Sequence, residues 1–182
     1  QNEDFVRTNA NDVLDSLNSP SLNRDERTAM FSSYMEKFAD LDAVSNFVIG
    51  KYASRFTEDE LARYRQAFKT YALAVYEEQL DAYRGEEVVV DGSTDRNSRD
   101  SIVDTTITRA DGRDMKVRWR VLNRGGNYQV VDVALDSDGN LIWQGIEQQA
   151  QFIALLDRTN GSADALINKI DSMTASLKEG RR

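Results

Sequence analysis

The chain has 182 residues, of which 40% are hydrophobic and 30% charged, and its formal net charge is −8. This composition favours one globular domain, and the negative charge argues against a nucleic acid or an anionic membrane surface as a partner. Histidine and cysteine are both absent, which excludes Ser-His-Asp triads, Cys-His dyads and zinc sites built on nitrogen or sulfur. No apolar run exceeds a few residues, so no transmembrane segment is expected.

Residues 1–84 are predicted to be helical. A first amphipathic helix stops before Pro20, because proline cannot continue a helix. Asn23 and Glu26 have the spacing of a capping box that starts a second helix. A third helix is predicted from about Asp42.

The fourth helix has the strongest start signal, a capping box formed by Thr57 and Glu60. Apolar residues then keep a helical period until Gly85, over about 40 Å of helix. The apolar face is rich in aromatic side chains, which indicates core packing in the first instance.

After Gly85 the apolar period changes from 3.6 to 2, and four strands are predicted within residues 86–135. The first covers Val88–Val90 and is followed by a polar loop over residues 91–100. The second and third strands flank the Asp111-Gly112 hairpin turn.

In the third strand Val117 and Trp119 face one way and three basic residues face the other. A Gly125-Gly126 turn leads into the fourth strand, where Val131, Val133 and Leu135 are predicted to share one face. Sequential strands with short turns are typical of an antiparallel meander.

The end of the chain, residues 142–178, is again predicted to be helical. One helix runs from Ile142 to Leu156, Asn160-Gly161 interrupts the pattern, and Ser162 caps the last helix. The predicted class is therefore α+β, with a curved four-stranded antiparallel sheet packed against several long helices in a single domain, residues 1–182.

A segment with oxygen-bearing side chains invites comparison with a calcium loop. Asp136, Asp138, Asn140 and Glu147 occupy the first, third, fifth and twelfth positions. The glycine, Gly139, stands at the fourth position instead of the sixth, and no helix precedes the segment. A turn from strand to helix explains the same residues, so no metal site and no cofactor is predicted.

Asp132 has two interpretations. The strand period places it on the face opposite the apolar residues, where it can form a cross-strand ion pair with Arg118 or Arg120. If that face is covered, its carboxylate could instead act as a general base, as in cone-shaped isomerase folds. No glycine-rich loop opens a helix after a strand, so nucleotide binding has no motif.

Two stretches resemble the MlaC, or toluene-tolerance, family of periplasmic phospholipid-binding proteins. The first is residues 45–52, Ser-Asn-Phe-Val-Ile-Gly-Lys-Tyr, with Phe68 and the Tyr76, Leu80 and Tyr83 ladder that follows. The second is Tyr128-Gln-Val-Val-Asp-Val, then Gly139, Gln149-Ala-Gln-Phe and Leu166-Ile167. Tyr128 stands where the family usually has tryptophan, and Gln149 where it has arginine.

The resemblance implies a carrier that catalyses no reaction. It would hold a phospholipid by its tails in an apolar cavity between the sheet and the helices. It implies a periplasmic protein with its signal peptide removed, acting as a monomer. Its partners would be an inner-membrane ABC lipid transporter complex and an outer-membrane lipoprotein/porin complex, and its role would be to maintain outer-membrane lipid asymmetry.

The residues expected to line such a cavity are apolar members of the helices and strands. They are Phe47, Val48, Tyr52, Phe68, Leu73, Tyr76, Leu80, Ile107, Val117, Trp119, Val133, Leu135 and Phe152. Two other functions stay open: an isomerase-like enzyme that uses a carboxylate inside the pocket, and an interaction module whose pocket is plugged by side chains.

Overall fold

The computed structural model of the chain describes residues 2–18, 23–81, 88–108, 112–137 and 140–179. In chain order its elements are α1 (Asn2–Asn18), α2 (Arg24–Phe38), α3 (Leu41–Ile49), a 3-10 turn (Gly50–Ser54), α4 (Glu58–Asp81), β1 (Val88–Asn97), β2 (Asp100–Thr108), β3 (Asp114–Arg124), β4 (Asn127–Ser137), β5 (Asn140–Trp143), α5 (Gln144–Arg158) and α6 (Ala163–Glu179). The α+β class is confirmed.

The chain divides into two compact units. Unit 1 comprises residues 1–40 and 79–144, and unit 2 comprises residues 41–78 and 145–182. The prediction of a single domain over the whole chain stays a prediction.

Unit 1 contains the sheet, in which β1 to β5 lie side by side in sequence order and every neighbouring pair is antiparallel. The predicted meander is thus confirmed. Its turns use glycine where the backbone requires a positive φ: Gly125 and Gly126 have φ values of 64° and 91°. Asp111 lies outside the described residues, and Gly112 beside it has a φ of 86°.

Two strands differ from the predicted ones. The polar residues after Val90 continue β1 to Asn97, because they pair with β2 through two irregularities in register. At the other end, Asn140–Trp143 is a short fifth strand paired with β4, so α5 begins at Gln144 and not at Ile142. Apolar residues at a helix start and in a short edge strand have the same local pattern, and pairing decides between them.

A β-bulge changes the phase of β4. Val121 pairs with Val130, and Arg120 pairs with Asp132, so Val131 is the extra residue. Val130 is therefore the buried one, at 3% exposure, and Val131 is only half-buried. The predicted shared face of Val131, Val133 and Leu135 is wrong at its first member, because the bulge adds one residue to the strand.

Unit 2 contains α3, most of α4, nearly all of α5, and α6 around one apolar cluster. Its predicted caps are present. Thr57 and Glu60 exchange side chain–backbone hydrogen bonds of 3.0 and 3.1 Å, and the Ser162 hydroxyl accepts from the Ala165 amide at 3.1 Å. In unit 1, the Asn23 and Glu26 capping box starts α2 as predicted.

Candidate functional site

One face of the sheet in unit 1 is apolar and buried. The register sets Val117 opposite Leu135 and Trp119 opposite Val133, and it sets Ile107 on the same side one strand away. All five side chains are at most 9% exposed. The structure therefore brings together on one surface every lining residue that the sequence predicts from the strands.

Helix residues of unit 1 pack on that face. The Phe38 and Trp119 rings are 5.2 Å apart between centroids, and Phe5 lies 5.4 Å from Phe38. Phe38 is not among the lining residues predicted from the sequence. Its position on the apolar side of α2 was the available signal, but only the tertiary structure shows which strand residue it meets.

Among the described residues, the apolar face contains two buried polar side chains, Ser101 and Thr105. The Ser101 hydroxyl donates to Asp95 Oδ1 at 2.7 Å. The hydrogen bonds of Thr105 are also satisfied. Its hydroxyl donates to the Val117 carbonyl and accepts from Trp119 Nε1, both at 2.8 Å. Because a buried polar group costs free energy only when it lacks a partner, Thr105 is compatible with an apolar surface. The two bonds also hold the Trp119 indole in one orientation.

The opposite face of the same sheet is charged. Arg118 pairs with Asp104 at 2.7 Å, and Arg120 forms two hydrogen bonds with Asp100, at 2.9 and 3.2 Å. Hydrogen bonding to Asp100 raises the pKa of the Arg120 guanidinium. Asp132 lies directly opposite Arg120 in the register, which confirms that it is on the face away from the apolar residues.

Unit 2 has an apolar cluster of its own. Four successive ring contacts, with centroid distances of 6.0 to 6.5 Å, run from Tyr52 through Phe56, Tyr64 and Phe68 to Phe152. Helices α3, α4, α5 and α6 and the 3-10 turn contribute its buried members. These are Val48, Ile49, Tyr52, Tyr64, Phe68, Ala72, Phe152, Leu156, Leu166, Ile167 and Ile170.

Two tyrosine hydroxyls of this cluster have definite acceptors. Tyr64 donates to the Ser45 carbonyl at 2.6 Å, and burial raises the pKa of its phenol far above the ordinary value. Tyr52 donates to Asp157 Oδ1 at 2.5 Å. That hydrogen bond raises the pKa of Tyr52 and lowers the pKa of Asp157.

The helical residues predicted to line a cavity have different environments. Val48, Tyr52, Phe68 and Phe152 belong to the unit 2 cluster and are at most 6% exposed. Leu73 is half-buried. Phe47 is 41% exposed, because its position on α3 points away from the cluster. The side chains of Tyr76 and Leu80 lie outside the described residues, and a lining role stays a prediction for the whole set.

The segment compared with a calcium loop is a β-hairpin. Asp136 pairs with Leu141, and Ser137 pairs with Asn140, while Asp138 and Gly139 lie outside the described residues. The predicted turn from strand to helix is therefore a turn from strand to strand. In the described part of the chain, no three acidic side chains are grouped so that they could hold a metal ion.

None of the described helices combines the length and the apolar character needed to cross a bilayer.

Comparison with known proteins agrees with this architecture. The phospholipid-binding protein from Ralstonia solanacearum, solved in complex with a phospholipid, has a similar fold, with a TM-score of 0.83 and 20% sequence identity. The similarity covers 97% of this chain and 98% of the other. No curated protein sequence gives a significant match. The family model described as MlaC protein matches residues 7–172, and the chain therefore belongs to the MlaC family.

Proposed function

We propose that the chain is a phospholipid carrier that holds acyl chains in an apolar cavity. The observation that carries the proposal is the near full-length similarity in fold to a phospholipid-binding protein that was solved with a phospholipid bound. Membership of the MlaC family supports it independently. No catalytic role is proposed.

The energetics of lipid transfer require extensive apolar surface. Burial of one CH₂ group is worth about 0.8 kcal/mol, so a sixteen-carbon tail in water costs on the order of 10 kcal/mol. Headgroup hydrogen bonds of about 1 to 3 kcal/mol each cannot replace that burial. A carrier must therefore enclose nearly the whole of each tail.

The proposed lining is the set of apolar residues predicted from the sequence. In unit 1 they are Ile107, Val117, Trp119, Val133 and Leu135. In unit 2 they are Phe47, Val48, Tyr52, Phe68, Leu73, Tyr76 and Phe152, and Leu80 completes the set. Thr105 and Trp119 support this role for the sheet, because the hydrogen bond that the indole donates to the Thr105 hydroxyl provides both polar groups with a partner in the buried face.

The proposed setting is the periplasm. There the monomeric chain would carry phospholipid between an outer-membrane lipoprotein/porin complex and an inner-membrane ABC lipid transporter, and so maintain outer-membrane lipid asymmetry. Since an apolar cavity and a bilayer both solvate acyl chains well, transfer between them lies near equilibrium. The direction of net transport would then come from the partner complexes.

Native mass spectrometry after purification without detergent tests lipid binding. We expect a species heavier than the 20.6 kDa chain by the mass of a phospholipid, and reloading of the delipidated protein from phospholipid vesicles. A chain that carries no lipid and takes up none would overturn the proposal in favour of a plugged interaction module.

The proposed roles of the two sheet faces are tested at Asp132 and Val133. The Asp132 carboxylate is on the charged face of the sheet, whereas its neighbour Val133 is on the apolar face. We expect Asp132→Asn to load phospholipid as the unchanged chain does, and Val133→Asn to load less. Equal loss of loading in both variants would contradict the assignment of the two faces.

A further inference from the structure

Unit 2 carries two neighbouring hollows on its surface. The first has a volume of about 300 Å³ and lies between α5 and α6. Phe152 is a buried member of its lining, and Leu155 and Met173 are half-buried. The rest of the lining is exposed and consists of Gln151, Ala154, Arg158 and Lys169. Apolar surface is thus accessible here next to two basic side chains.

The second hollow, of about 350 Å³, lies between α6 and α4. Tyr71 and Leu177 give it apolar surface, and Glu78 is its acidic member. Lys169 and Met173 line both hollows. We call the combined depression the Met173 groove, defined by the two hollows that share these residues. Along α6 it extends from Lys169 to Leu177, about 12 Å at the helical rise.

The groove has an uneven charge distribution. Two of the residues that line the first hollow are basic and none is acidic, although the whole chain has a net charge of −8. The acidic residue next to Arg158 in sequence, Asp157, does not line the hollow. Its carboxylate accepts a hydrogen bond from Tyr52 and forms an ion pair with Lys51. The basic end therefore attracts an anion, and the end at Glu78 does not.

The shape of the groove favours a protein segment over a lipid tail. Both hollows are open to solvent along one side, so an acyl chain laid in them would keep much of its surface in water. An amphipathic helix would insert only its apolar side chains and leave its polar face outside. Met173, at the junction of the hollows, is the kind of flexible side chain that adapts to an inserted one.

We propose that the Met173 groove docks an acidic amphipathic helix of a partner protein. Its apolar side chains, spaced at i and i+3 or i+4, fill the two hollows, and its acidic residues face Arg158 and Lys169. Since Glu78 repels an anion, the acidic end of the partner helix lies at Arg158, which sets its orientation. The proposal goes beyond phospholipid carriage and does not depend on a bound lipid.

The test uses the full chain and two synthetic helical peptides of 15 residues. Both peptides have leucine at positions 4, 8 and 11. The acidic peptide has glutamate at the polar positions nearest one end, and the lysine peptide has lysine at the same positions. NMR titration of the isotope-labelled protein locates the binding, and fluorescence anisotropy measures its affinity. We expect the acidic peptide to shift the resonances of Leu155 and Met173.

Charge reversal provides the matched comparison. The double variant R158E/K169E should bind the acidic peptide at least about tenfold more weakly, which corresponds to 1.4 kcal/mol, and should bind the lysine peptide instead. The control K37E/R99E has the same net charge, and its two exposed positions are in unit 1. It should bind the acidic peptide as the unchanged chain does.

Three results would overturn the proposal. The first is equal affinity of the acidic peptide for the unchanged chain and for R158E/K169E. The second is the absence of shifts at Leu155 and Met173 with millimolar peptide. The third is that phospholipid vesicles, without peptide, shift these two resonances and that R158E/K169E abolishes the shift, which would assign the groove to lipid.

Discussion

The phenolic hydroxyl of Tyr52 donates a hydrogen bond of 2.5 Å to Asp157 Oδ1, across 105 residues of sequence. The Tyr52 ring is buried in the unit 2 cluster, while the Asp157 side chain is half exposed and also meets Lys51 at 3.4 Å. The contact ties the 3-10 turn to the end of α5. Gly161 lies against the same ring: a Cβ at that position would come within 3.0 Å of Tyr52 Cε1.

This hydrogen bond predicts a pH-dependent stability difference between the unchanged chain and Tyr52→Phe. Because the bond lowers the pKa of Asp157, its contribution is present at neutral pH and is lost as the pH falls through the folded-state pKa. Because it raises the pKa of Tyr52, the contribution is also lost as the pH rises through that pKa. Urea unfolding should show the variant less stable at pH 7 and equal to the unchanged chain in strong acid.

Tyr71→Phe is the matched control for Tyr52→Phe. Tyr71 also lies in unit 2, and its hydroxyl meets the neutral amide oxygen of Gln148 at 3.5 Å. Any loss of stability should therefore stay constant across the acid range. A Tyr52→Phe difference that does not change between pH 7 and strong acid would contradict the role assigned to Asp157.

The two arginines on the charged face of β3, Arg118 and Arg120, should contribute differently to the free energy of unfolding. The Asp100 side chain is only 9% exposed, whereas Asp104 is 39% exposed. Arg120→Met leaves the buried Asp100 carboxylate with a weaker partner, Arg96 at 3.5 Å. The variant should therefore lower the free energy of unfolding by about 2 kcal/mol. Arg118→Met should cost less than about 1 kcal/mol. Urea denaturation of the two variants measures the difference, and equal losses would contradict it.

The contact between Phe38 and Trp119 should contribute to the stability of unit 1. Phe38 is 1% exposed and its ring is 5.2 Å from that of Trp119, so Phe38→Leu should cost about 2 kcal/mol through lost packing and ring contact. It should also change the tryptophan fluorescence of the folded chain.

Phe47→Leu is the corresponding control. Because Phe47 is 41% exposed, its replacement should change the free energy of unfolding by less than about 0.5 kcal/mol. Chemical denaturation followed by circular dichroism compares the two variants on the same scale. Similar destabilisation in both would show that the ring contact is not what makes Phe38 important.

A pair of substitutions tests the proposed lining without removing a fully buried residue. Leu73 on α4 is half-buried, and Ile146 on α5 is 55% exposed. We expect Leu73→Gln to lower the fraction of phospholipid-bound chain in native mass spectra, because it puts a polar amide where an acyl chain would lie. Ile146→Gln should leave that fraction unchanged, and thermal unfolding verifies that both variants fold.

The outcome distinguishes a lining residue from a core residue. If Leu73→Gln lowers stability and leaves lipid loading intact, Leu73 is packed core and has to be removed from the proposed lining.

Local patterns in the sequence determined most of the fold. The capping boxes at Asn23 and Thr57 and the glycine turn at Gly125-Gly126 depend on residues a few positions apart, so their physics is readable from the chain alone. The same holds for the alternation in β3, because a strand turns successive side chains to opposite faces. The family resemblance, which the family model confirms over residues 7–172, likewise came from short-range motifs.

Tertiary structure decided what depends on pairing between distant residues. The bulge at Val131, the fifth strand at Asn140–Trp143, and the choice of Asp100 as the hydrogen-bond partner of Arg120 all follow from strand register. So does the packing of Phe38 on Trp119, which joins a helix to a strand 81 positions later. A periodic pattern tells which side of an element is apolar, but the free energy of burial depends on the surface that this side meets, and only the folded chain brings the two surfaces together.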